Sequence, residues 1–584
     1  KEKVLFKDVI KALLDFIFYN QTMLKKVLLQ FTAFFLLILC VTNTKAAPAA
    51  TNLLSNAGFE STFTSSPTDW HLYQWGSTGS KFKSFREEKA GRSDSVALLA
   101  ENIDDSAKAG VYTHVALKPG TYELSVWARA AKGQTARARI YLATTYSRTF
   151  LLTDQWKQIS VSTTLSNPTD SAEINIQNSS GEANVVWFDD AMLREVPGVH
   201  YEPAKDTRKV RPRTLLFSPI NVAYLHDSAA EWAKHGFRGF LFDNIMYNWQ
   251  SDVWATDGDT KTRGVDDKLL QEVLSCNVAC RKVGIDSNFV KVSLNVDLPD
   301  PFDDAAWQKI TENFRQGARF AKLSESAGIA IDTEYIAEQY NPNWEGYAKN
   351  PHPLPELKAK IHQRWHDVTA AMLQEYPQMV LLTLPEGMNY YGELYQDIFN
   401  GMLDAMSEAT APGGMHVMTE GTYHVTDPGG LATYAKELQS TIEDITQPAS
   451  YSYWKQHCSI VLGAWPLGYY RAITDKDGKF VGWSGRKETF GDKIVGSYAD
   501  KSAWYSPEVF AQQMTGLNSF SPRYNWIYGH GDVFTYLTPE QIAHYKSISS
   551  QRLFSVQIPV VPDIEKYFQD IANPGFVRLE KPTQ

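Results

Sequence analysis

The run Gly328-Ile-Ala-Ile-Asp-Thr-Glu-Tyr335 decides the fold of the larger part of this chain. It begins as an apolar segment and ends in two carboxylates, a pattern typical of a buried parallel strand whose carboxyl end opens to water. Asp332 and Glu334 are two residues apart, so in a strand both side chains point the same way.

Seven further apolar segments have the same character, and amphipathic helical patterns separate them. They are Thr214–Val222, Gly236–Asp243, Val290–Asp297, Val380–Glu386, Gly414–Glu420, Ser459–Trp465 and Ser519–Tyr528. Eight β/α repeats predict a (β/α)8 TIM barrel over residues 214–550, with insertions beyond the usual length of about 250 residues. A doubly wound sheet is the alternative, but it lacks its glycine-rich phosphate-binding turn here. Residues 551–584 are expected to pack on the barrel exterior.

Acidic and aromatic residues gather where these segments end, which is where barrel enzymes place their sites. Buried carboxylates are costly unless paired, so repeated acidic strand ends indicate a polar cleft. We predict catalytic roles for Asp332, Glu334, Glu386 and Glu420. We predict substrate binding by Asp243, Asn295, Asp297, Tyr423, His424, Trp465, Trp526 and Tyr528, with packing as the alternative for the aromatic residues.

Two neighbouring carboxyl groups differ in pKa because each charge opposes the other, so one ionises at lower pH and the other keeps its proton to higher pH. Glycoside hydrolases need this division, because an acid protonates the leaving oxygen while a second carboxylate acts as base or nucleophile. The sequence favours Glu334 as the acid and Asp332 as its partner. Glu386 or Glu420 is the alternative partner, or a ligand of sugar hydroxyls.

Residues 47–196 have a different pattern, with short alternating strands between turns rich in Gly, Pro, Ser and Thr. Examples are Thr121–Arg129, Ala136–Leu142 and Gln158–Thr164. Alternation with period two predicts strands that are buried on one face, and therefore an all-β sandwich.

The sandwich resembles the jelly-roll carbohydrate-binding modules of the cellulose- and xylan-binding type. The resemblance rests on Asn52–Glu60, Lys118–Leu124, Trp156 and Val186–Leu193. It implies a structural calcium on Glu60 with Asp189 or Asp190, which oxygen ligands suit. Exposed rings stack on sugars, so Trp70 and Trp75 are the predicted sugar-binding residues of the module.

The Asp332-Thr-Glu334 motif is also similar, locally, to that of chitinase-like barrels, in which the Glu is the acid and the Asp steers the acetamido group. The longer acidic run of those enzymes is replaced here by Gly328-Ile-Ala-Ile331. The large clan with two catalytic glutamates takes its nucleophile from strand seven, and Leu462-Gly-Ala-Trp465 offers no carboxylate. No hydrolase family is therefore identified.

Residues 1–46 are predicted to be an upstream extension and a secretory signal peptide beginning at Met23. A basic start, an apolar run over residues 27–41 and a cleavage site near Ala46 support this prediction, and an uncleaved anchor is the alternative. Residues 197–213, which are polar and basic, are predicted to be a solvated linker.

The 584 residues contain 57 basic and 66 acidic side chains, which give a formal net charge of −9. This balance argues against a nucleic-acid binder. We expect an exported or periplasmic glycoside hydrolase that acts on a polysaccharide or oligosaccharide, without a catalytic cofactor and without a membrane partner after cleavage. The alternatives are a non-catalytic glycan-binding protein with a degenerate barrel and a carbohydrate lyase.

Overall fold

The computed structural model describes most of the chain from Thr51 onward. The described residues are 51–60, 70–75, 82–87, 89–92, 96–103, 108–143, 145–165, 168–180, 183–196, 200–204, 206, 208, 210–246, 267–294, 298–334, 351–389, 393–467, 472–474, 480–483, 504–529, 534, 537–551, 561 and 563–580. Within these ranges, no helix combines the length and apolarity needed to cross a bilayer. The predicted signal peptide lies outside them.

Two antiparallel sheets form a sandwich between residues 71 and 196. The strands are β1 His71–Trp75, β2 Phe82–Glu87, β3 Ala97–Asn102, β4 Lys108–Leu117, β5 Gly120–Ala130, β6 Ala136–Leu142, β7 Thr145–Tyr146, β8 Phe150–Leu152, β9 Lys157–Leu165, β10 Thr169–Asn178 and β11 Asn184–Val196. One sheet has the order β1-β4-β10-β6-β7, with β8 also on β6, and the other has the order β2-β3-β11-β5-β9.

The alternation seen in the sequence builds the sandwich core. Every second residue of each strand points between the sheets, so Leu124 and Val126 of β5 meet Ile174 and Ile176 of β10 in one buried cluster. Asn175 and Gln177 of β10 alternate with these isoleucines and therefore face away from the core.

The barrel strands are all parallel. They are β13 Arg213–Phe217, β14 Phe237–Met246, β15 Phe289–Ser293, β16 Gly328–Asp332, β17 Val380–Leu384, β18 Met415–Met418, β19 Ser459–Val461, β20 Gly463–Ala464 and β23 Tyr524–Tyr528. Their order is β19-β18-β17-β16-β15-β14-β13-β23-β20. Between β20 and β23 in the chain, β21 (Ala472–Thr474) and β22 (Phe480–Trp483) form a separate antiparallel pair. Because β19 and β20 are separated only by Leu462, one stretch pairs with β18 at its start and with β23 at its end. The described strands thus complete a parallel ring of eight positions.

Helices follow the strands and cover the ring. In the described ranges they are α1 Val222–Lys234, α2 Asp267–Lys282, α3 Asp304–Leu323, α4 Leu354–Glu375, α5 Glu393–Glu408, α6 Pro428–Ile445, α7 Pro448–His457, α8 Pro507–Phe520, α9 Pro539–Ile548 and α10 Ile564–Ala572. Their apolar faces pack on the outer faces of the strands in one large core. The eighth strand was predicted to begin at Ser519, but α8 continues to Phe520 and the strand begins at Tyr524.

The segment predicted to be a solvated linker is ordered where it is described. Its residues His200–Ala204 form β12, which pairs antiparallel with β24 (Phe576–Glu580) near the C-terminus. Asp206 follows, and its buried carboxylate pairs with Arg208 at 2.8 Å and with Arg211 at 3.4 Å. Hydrogen bonds from Arg208 and Asn518 hold the pKa of Asp206 well below its usual range. The basic run therefore neutralises a buried acid instead of lying free in water.

The sandwich also packs directly on a barrel helix. Arg148, after β7, donates from its backbone N–H to Glu437 at 3.1 Å, and its guanidinium pairs with Asp444 at 2.7 Å. Gly429 in the first turn of α6 lies so close to Thr164 of β9 that a Cβ there would be 2.5 Å from the threonine. One face of α6 thus meets the sandwich, while its opposite face, with Leu431 and Leu438, is buried in the barrel core.

Candidate active site

The carboxyl ends of β14, β15 and β16 bring three charged side chains together. Inside the barrel, the side chains of Leu241, Phe289 and Ala330 form one apolar layer. Asp243, Lys291 and Asp332 each lie two residues further along the same strands, so they point to the same interior one layer nearer the mouth. The Lys291 ammonium is 3.3 Å from Asp332 and 3.7 Å from Asp243.

Lys291 is the component of this cluster that the sequence analysis missed. The residue is 4% exposed, and its ammonium also lies 4.3 Å from the ring centroid of Phe217. A lysine in the middle of the apolar segment Phe289–Ser293 is a signal in itself, because lysine is almost never buried unless it is paired.

Glu334 follows Asp332 at the mouth. Its backbone N–H donates to the Asp332 carboxylate at 3.3 Å, which fixes the turn by which the chain leaves β16. The Glu334 side chain is half-buried. The predicted pair therefore stands at one strand end, with Asp332 anchored by Lys291 and Glu334 closer to solvent.

Glu386 lies behind the site instead of lining it. Its side chain is fully buried, and its carboxylate accepts hydrogen bonds from the backbone N–H groups of Glu420 at 2.8 Å and Gly421 at 2.9 Å. The Tyr434 hydroxyl on α6 donates to the same carboxylate. These three donors make Glu386 the anchor of the loop that carries Glu420, a placement that favours positioning over the predicted catalytic role.

Residues Glu420–Val425, which we call the Glu420 loop, are also held from the other side. Gln513 of α8 donates from its Nε2 to the carbonyl oxygens of Thr422, Tyr423 and Val425 at 3.1–3.2 Å. The Thr422 hydroxyl donates to the carbonyl of Gly463 at 2.9 Å. A loop fixed at this many points presents its side chains in a set geometry. Tyr434 and Gln513 were not found from the sequence, because both lie on helices far from any strand end.

Glu420 itself is half-buried, among other carboxylates. Desolvation and the charges of Glu334, Asp332 and Glu386 hold the pKa of Glu420 well above its usual range, and Lys291 acts in the opposite direction. The mutual influence of these groups places four carboxylates from three separate segments within electrostatic reach of one another. A carboxyl group in this setting holds its proton to a higher pH than a solvent-exposed glutamate does.

Aromatic rings form one wall of the mouth. The rings of Tyr423 and Tyr528 are nearly parallel at 6.1 Å, and Trp465 meets them edge-on at 5.6 and 5.0 Å. Burial and the charge of Glu420 raise the pKa of Tyr423, so its phenol stays protonated. The Tyr423 hydroxyl is buried and has no hydrogen-bond partner among the described residues. It is therefore a donor available to a polar ligand.

The prediction that Trp526 binds substrate is wrong. Trp526 is fully buried inside the barrel, and its indole N–H donates to the carbonyl of Thr419 at 3.2 Å. It lies two residues before Tyr528 on β23, so it occupies the layer beneath the mouth and supports Tyr423 from below. His424 is exposed. Asn295 and Asp297 lie outside the described residues.

The sugar-binding prediction is also wrong for Trp70. The residue is 1% exposed, packs on Phe59 with ring centroids 5.5 Å apart, and donates to the carbonyl of Ser55 at 3.2 Å. A ring without solvent contact cannot stack on a sugar. The side chain of Trp75 lies outside the described part of the chain.

The carboxylates predicted to bind calcium do not form a ligand set as they are arranged. Asp189 accepts from the backbone N–H groups of Arg92 and Asp190, both at 2.7 Å, while the Arg92 guanidinium pairs with Asp190 at 2.9 Å. Glu60 lies near enough for its charge to help raise the pKa of Asp189, after the larger effect of burial. No metal-holding group of three His, Cys, Asp or Glu residues occurs in the described ranges. The calcium stays a prediction.

A polar row on the outer face of one sandwich sheet was missed by the sequence analysis. Strand register places its five members side by side across β1, β4, β10, β6 and β7: His71, Tyr112, Asn175, Tyr141 and Tyr146. The rings of His71 and Tyr112 stack at 5.1 Å. The buried side-chain oxygens of Asn175 and the neighbouring Gln177 lack hydrogen-bond partners in the described structure. His71 is exposed and the three tyrosines are half-buried, so these rings, unlike that of Trp70, are in contact with solvent. The alternation of polar and apolar residues along β10 is the sequence feature that could have indicated this row.

Comparison with known families supports the assignment of the sandwich. Residues 51–181, less than a quarter of the chain, match the family model described as carbohydrate binding domain. The prediction of a carbohydrate-binding module is thereby confirmed. No curated protein matches the chain.

Solved structures similar to this chain include a xylan-binding domain and two xylanases. The CBM22-1 xylan-binding domain of Paenibacillus barcinonensis Xyn10C is 17% identical, covers 26% of this chain and 98% of its own, and has a TM-score of 0.21. The CBM22-1–GH10 modules of Clostridium thermocellum endo-1,4-β-D-xylanase 10B, complexed with xylohexaose, are 11% identical over 90% of this chain and 96% of theirs, with a TM-score of 0.29. Xylanase10C from Cellvibrio japonicus, in complex with xylopentaose, is 9% identical over 86% and 97%, with a TM-score of 0.33. Similarity at this level assigns no activity.

Proposed function

We propose that this chain is an exported glycoside hydrolase that cleaves a polysaccharide at the barrel mouth and holds the polymer with its sandwich module. The observation that carries the proposal is the convergence of Glu420, Glu334 and Asp332 beside an aromatic wall. Hydrolysis of a glycosidic bond needs one protonated and one ionised carboxyl group at one site.

The roles follow from the environments of the two glutamates. Glu420 keeps its proton because of desolvation and like charges, so it is the acid that protonates the leaving oxygen. Glu334, the other glutamate of the mouth, acts as the carboxylate base or nucleophile. This assignment reverses the roles expected from the sequence, where Glu334 was the favoured acid. Asp332 and Glu386 are positioning residues, the first beside Glu334 and the second behind Glu420.

The polar row of the module is the proposed glycan-binding face. A sugar laid across β4, β10 and β6 would stack on the half-buried rings of Tyr112 or Tyr141, with Asn175 in the layer beneath them. Binding there raises the local concentration of the polymer at the barrel.

Release of reducing ends from a panel of neutral polysaccharides, xylan, mannan and β-glucan among them, tests the proposal. We expect activity in the wild type and losses of about 100-fold or more in Glu420→Gln and Glu334→Gln, since general acid–base catalysis contributes about 10²–10⁴-fold. Glu408→Gln, the same change at a distant glutamate on α5, is the matched control and should leave the activity unchanged.

Full activity in both site variants would overturn the hydrolase assignment. Binding of the polysaccharides without turnover would favour a non-catalytic glycan-binding protein instead. Release of an unsaturated product from a polysaccharide of uronic acids, added to the panel and detected by its ultraviolet absorbance, would favour a lyase.

A further inference from the structure

Lys291 has no role in the chemistry described above, yet it is the cation that the described structure places among the carboxylates of the mouth. We propose that Lys291 is a positioning residue that sets the pH range of the site: its buried ammonium, held between β14 and β16, orients Asp332 beside Glu334 and places a positive charge among the carboxylates of the mouth. This inference rests on the proposed function and deepens it.

The geometry gives Lys291 two carboxylate neighbours on two different strands. Its Nζ lies 3.3 Å from Asp332 on β16 and 3.7 Å from Asp243 on β14, and Phe217 of β13 covers it at 4.3 Å. A charge enclosed in this way acts through a medium of low dielectric constant, where its field is much stronger than in water.

The field of Lys291 reaches Glu420 across the barrel. The groups that act on Glu420 from the surrounding elements are Glu334, Asp332, Glu386 and Lys291, with Tyr423 and Tyr528 on its open side. The three carboxylates oppose ionisation of Glu420 and the ammonium favours it. Without the ammonium, Glu420 would release its proton only at higher pH.

The test replaces Lys291 by Met, which keeps the length of the side chain and removes its charge. We expect the descending limb of the pH profile of kcat/KM, which reports ionisation of the acid, to move to higher pH. We expect kcat/KM at the wild-type optimum to fall about tenfold or more, because Asp332 loses its anchor. Lys291→Arg, which keeps the charge, should leave the limb in place. Lys322→Met on α3 removes the same charge at the opposite end of the barrel, where its ammonium donates to the carbonyl of Glu375 at the C-terminal end of α4, and is the matched control.

Removing a buried cation leaves two carboxylates uncompensated, and the single variant can fail to fold. The double variant Lys291→Met with Asp243→Asn removes one of them and keeps the measurement accessible. Its descending limb should lie at higher pH than that of Asp243→Asn alone. An unchanged limb in either folded variant overturns the inference.

A titration that needs no activity separates this inference from the proposed function. Glutamate labelled with ¹³C at Cδ, with Glu420→Gln to identify the resonance, reports the protonation of Glu420 directly. A transition at higher pH in Lys291→Met supports the inference even if no glycan is cleaved, whereas an identical transition refutes it even if hydrolysis is confirmed.

Discussion

Glu420 shows how one residue can serve a proposed reaction at the expense of the fold. Its pKa is raised in the folded chain, so between the unfolded and folded pKa values the native state holds a proton that the unfolded state has lost. The stability of the fold therefore falls as the pH rises through this interval. Below the unfolded pKa of about 4.3 both states are protonated and this cost vanishes.

Glu420→Gln should accordingly stabilise the protein while it abolishes the proposed activity. We expect its unfolding midpoint to exceed that of the wild type by about 2 °C or more at pH 8, since about 1 kcal/mol shifts the midpoint by that much in a larger domain, and to match it near pH 4. Thermal unfolding of both proteins across this range is the measurement. A midpoint that is lower than wild type at every pH would show that the carboxyl group makes a structural contact instead.

For individual residues, the sequence predicted the site correctly only where a residue's position along its strand was clear. Asp332, Glu334 and Glu420 follow apolar runs, so their convergence was predictable from the rule that strand ends meet at one edge of a barrel. Trp526 has the same composition around it as Tyr528, and only the register of β23 with β13 and β20 shows that it lies a layer deeper. Aromatic residues occur both in the buried layer and at the mouth, so the composition of the segment could not distinguish the position of Trp526 from that of Tyr528.

Among the secondary-structure elements, α6 has a particular effect on the site, because its side chains contact the residues that hold the Glu420 loop. Tyr434 lies on the barrel face of α6 and donates to Glu386, which in turn accepts from the backbone of Glu420 and Gly421. The helix thus fixes the Glu420 loop through one buried carboxylate. Hydrogen bonds to a charged group contribute about 1.5–3 kcal/mol.

Tyr434→Phe should weaken the anchoring of the Glu420 loop without creating a cavity in the core. We expect kcat for a short oligosaccharide to fall about tenfold with KM little changed, because the proton donor is misplaced while the aromatic wall is intact. Tyr376→Phe is the matched control, since its hydroxyl donates to the carbonyl of Ser326 at 3.0 Å, away from the mouth. An equal loss of activity in both variants would mean that general destabilisation, and not the position of the loop, is responsible.

For the whole molecule, the sandwich is a structural support of the barrel helix that anchors the site. Gly429, Glu437 and Asp444 of α6 meet Thr164 and Arg148 of the sandwich. Arg148 and Asp444 are 296 positions apart in the chain. Neither residue has a local pattern that signals the contact, which is why the sequence predicted a tethered module joined by a linker, whereas the structure has a packed interface.

Gly429→Ala tests whether this interface supports the site. An added methyl group would overlap the backbone and side chain of Thr164, so we expect α6 to be displaced, the free energy of unfolding to fall by about 1–3 kcal/mol, and kcat on a short soluble oligosaccharide to fall several-fold. A substrate too short to reach the module excludes lost polymer binding as the cause. Gly58→Ala, whose Cβ would meet only ordinary contacts at 3.7 Å or more, is the control and should change stability by less than about 0.5 kcal/mol. If Gly429→Ala lowers stability but leaves kcat on the short substrate at the wild-type value, the module supports the fold of the barrel without supporting the Glu420 loop.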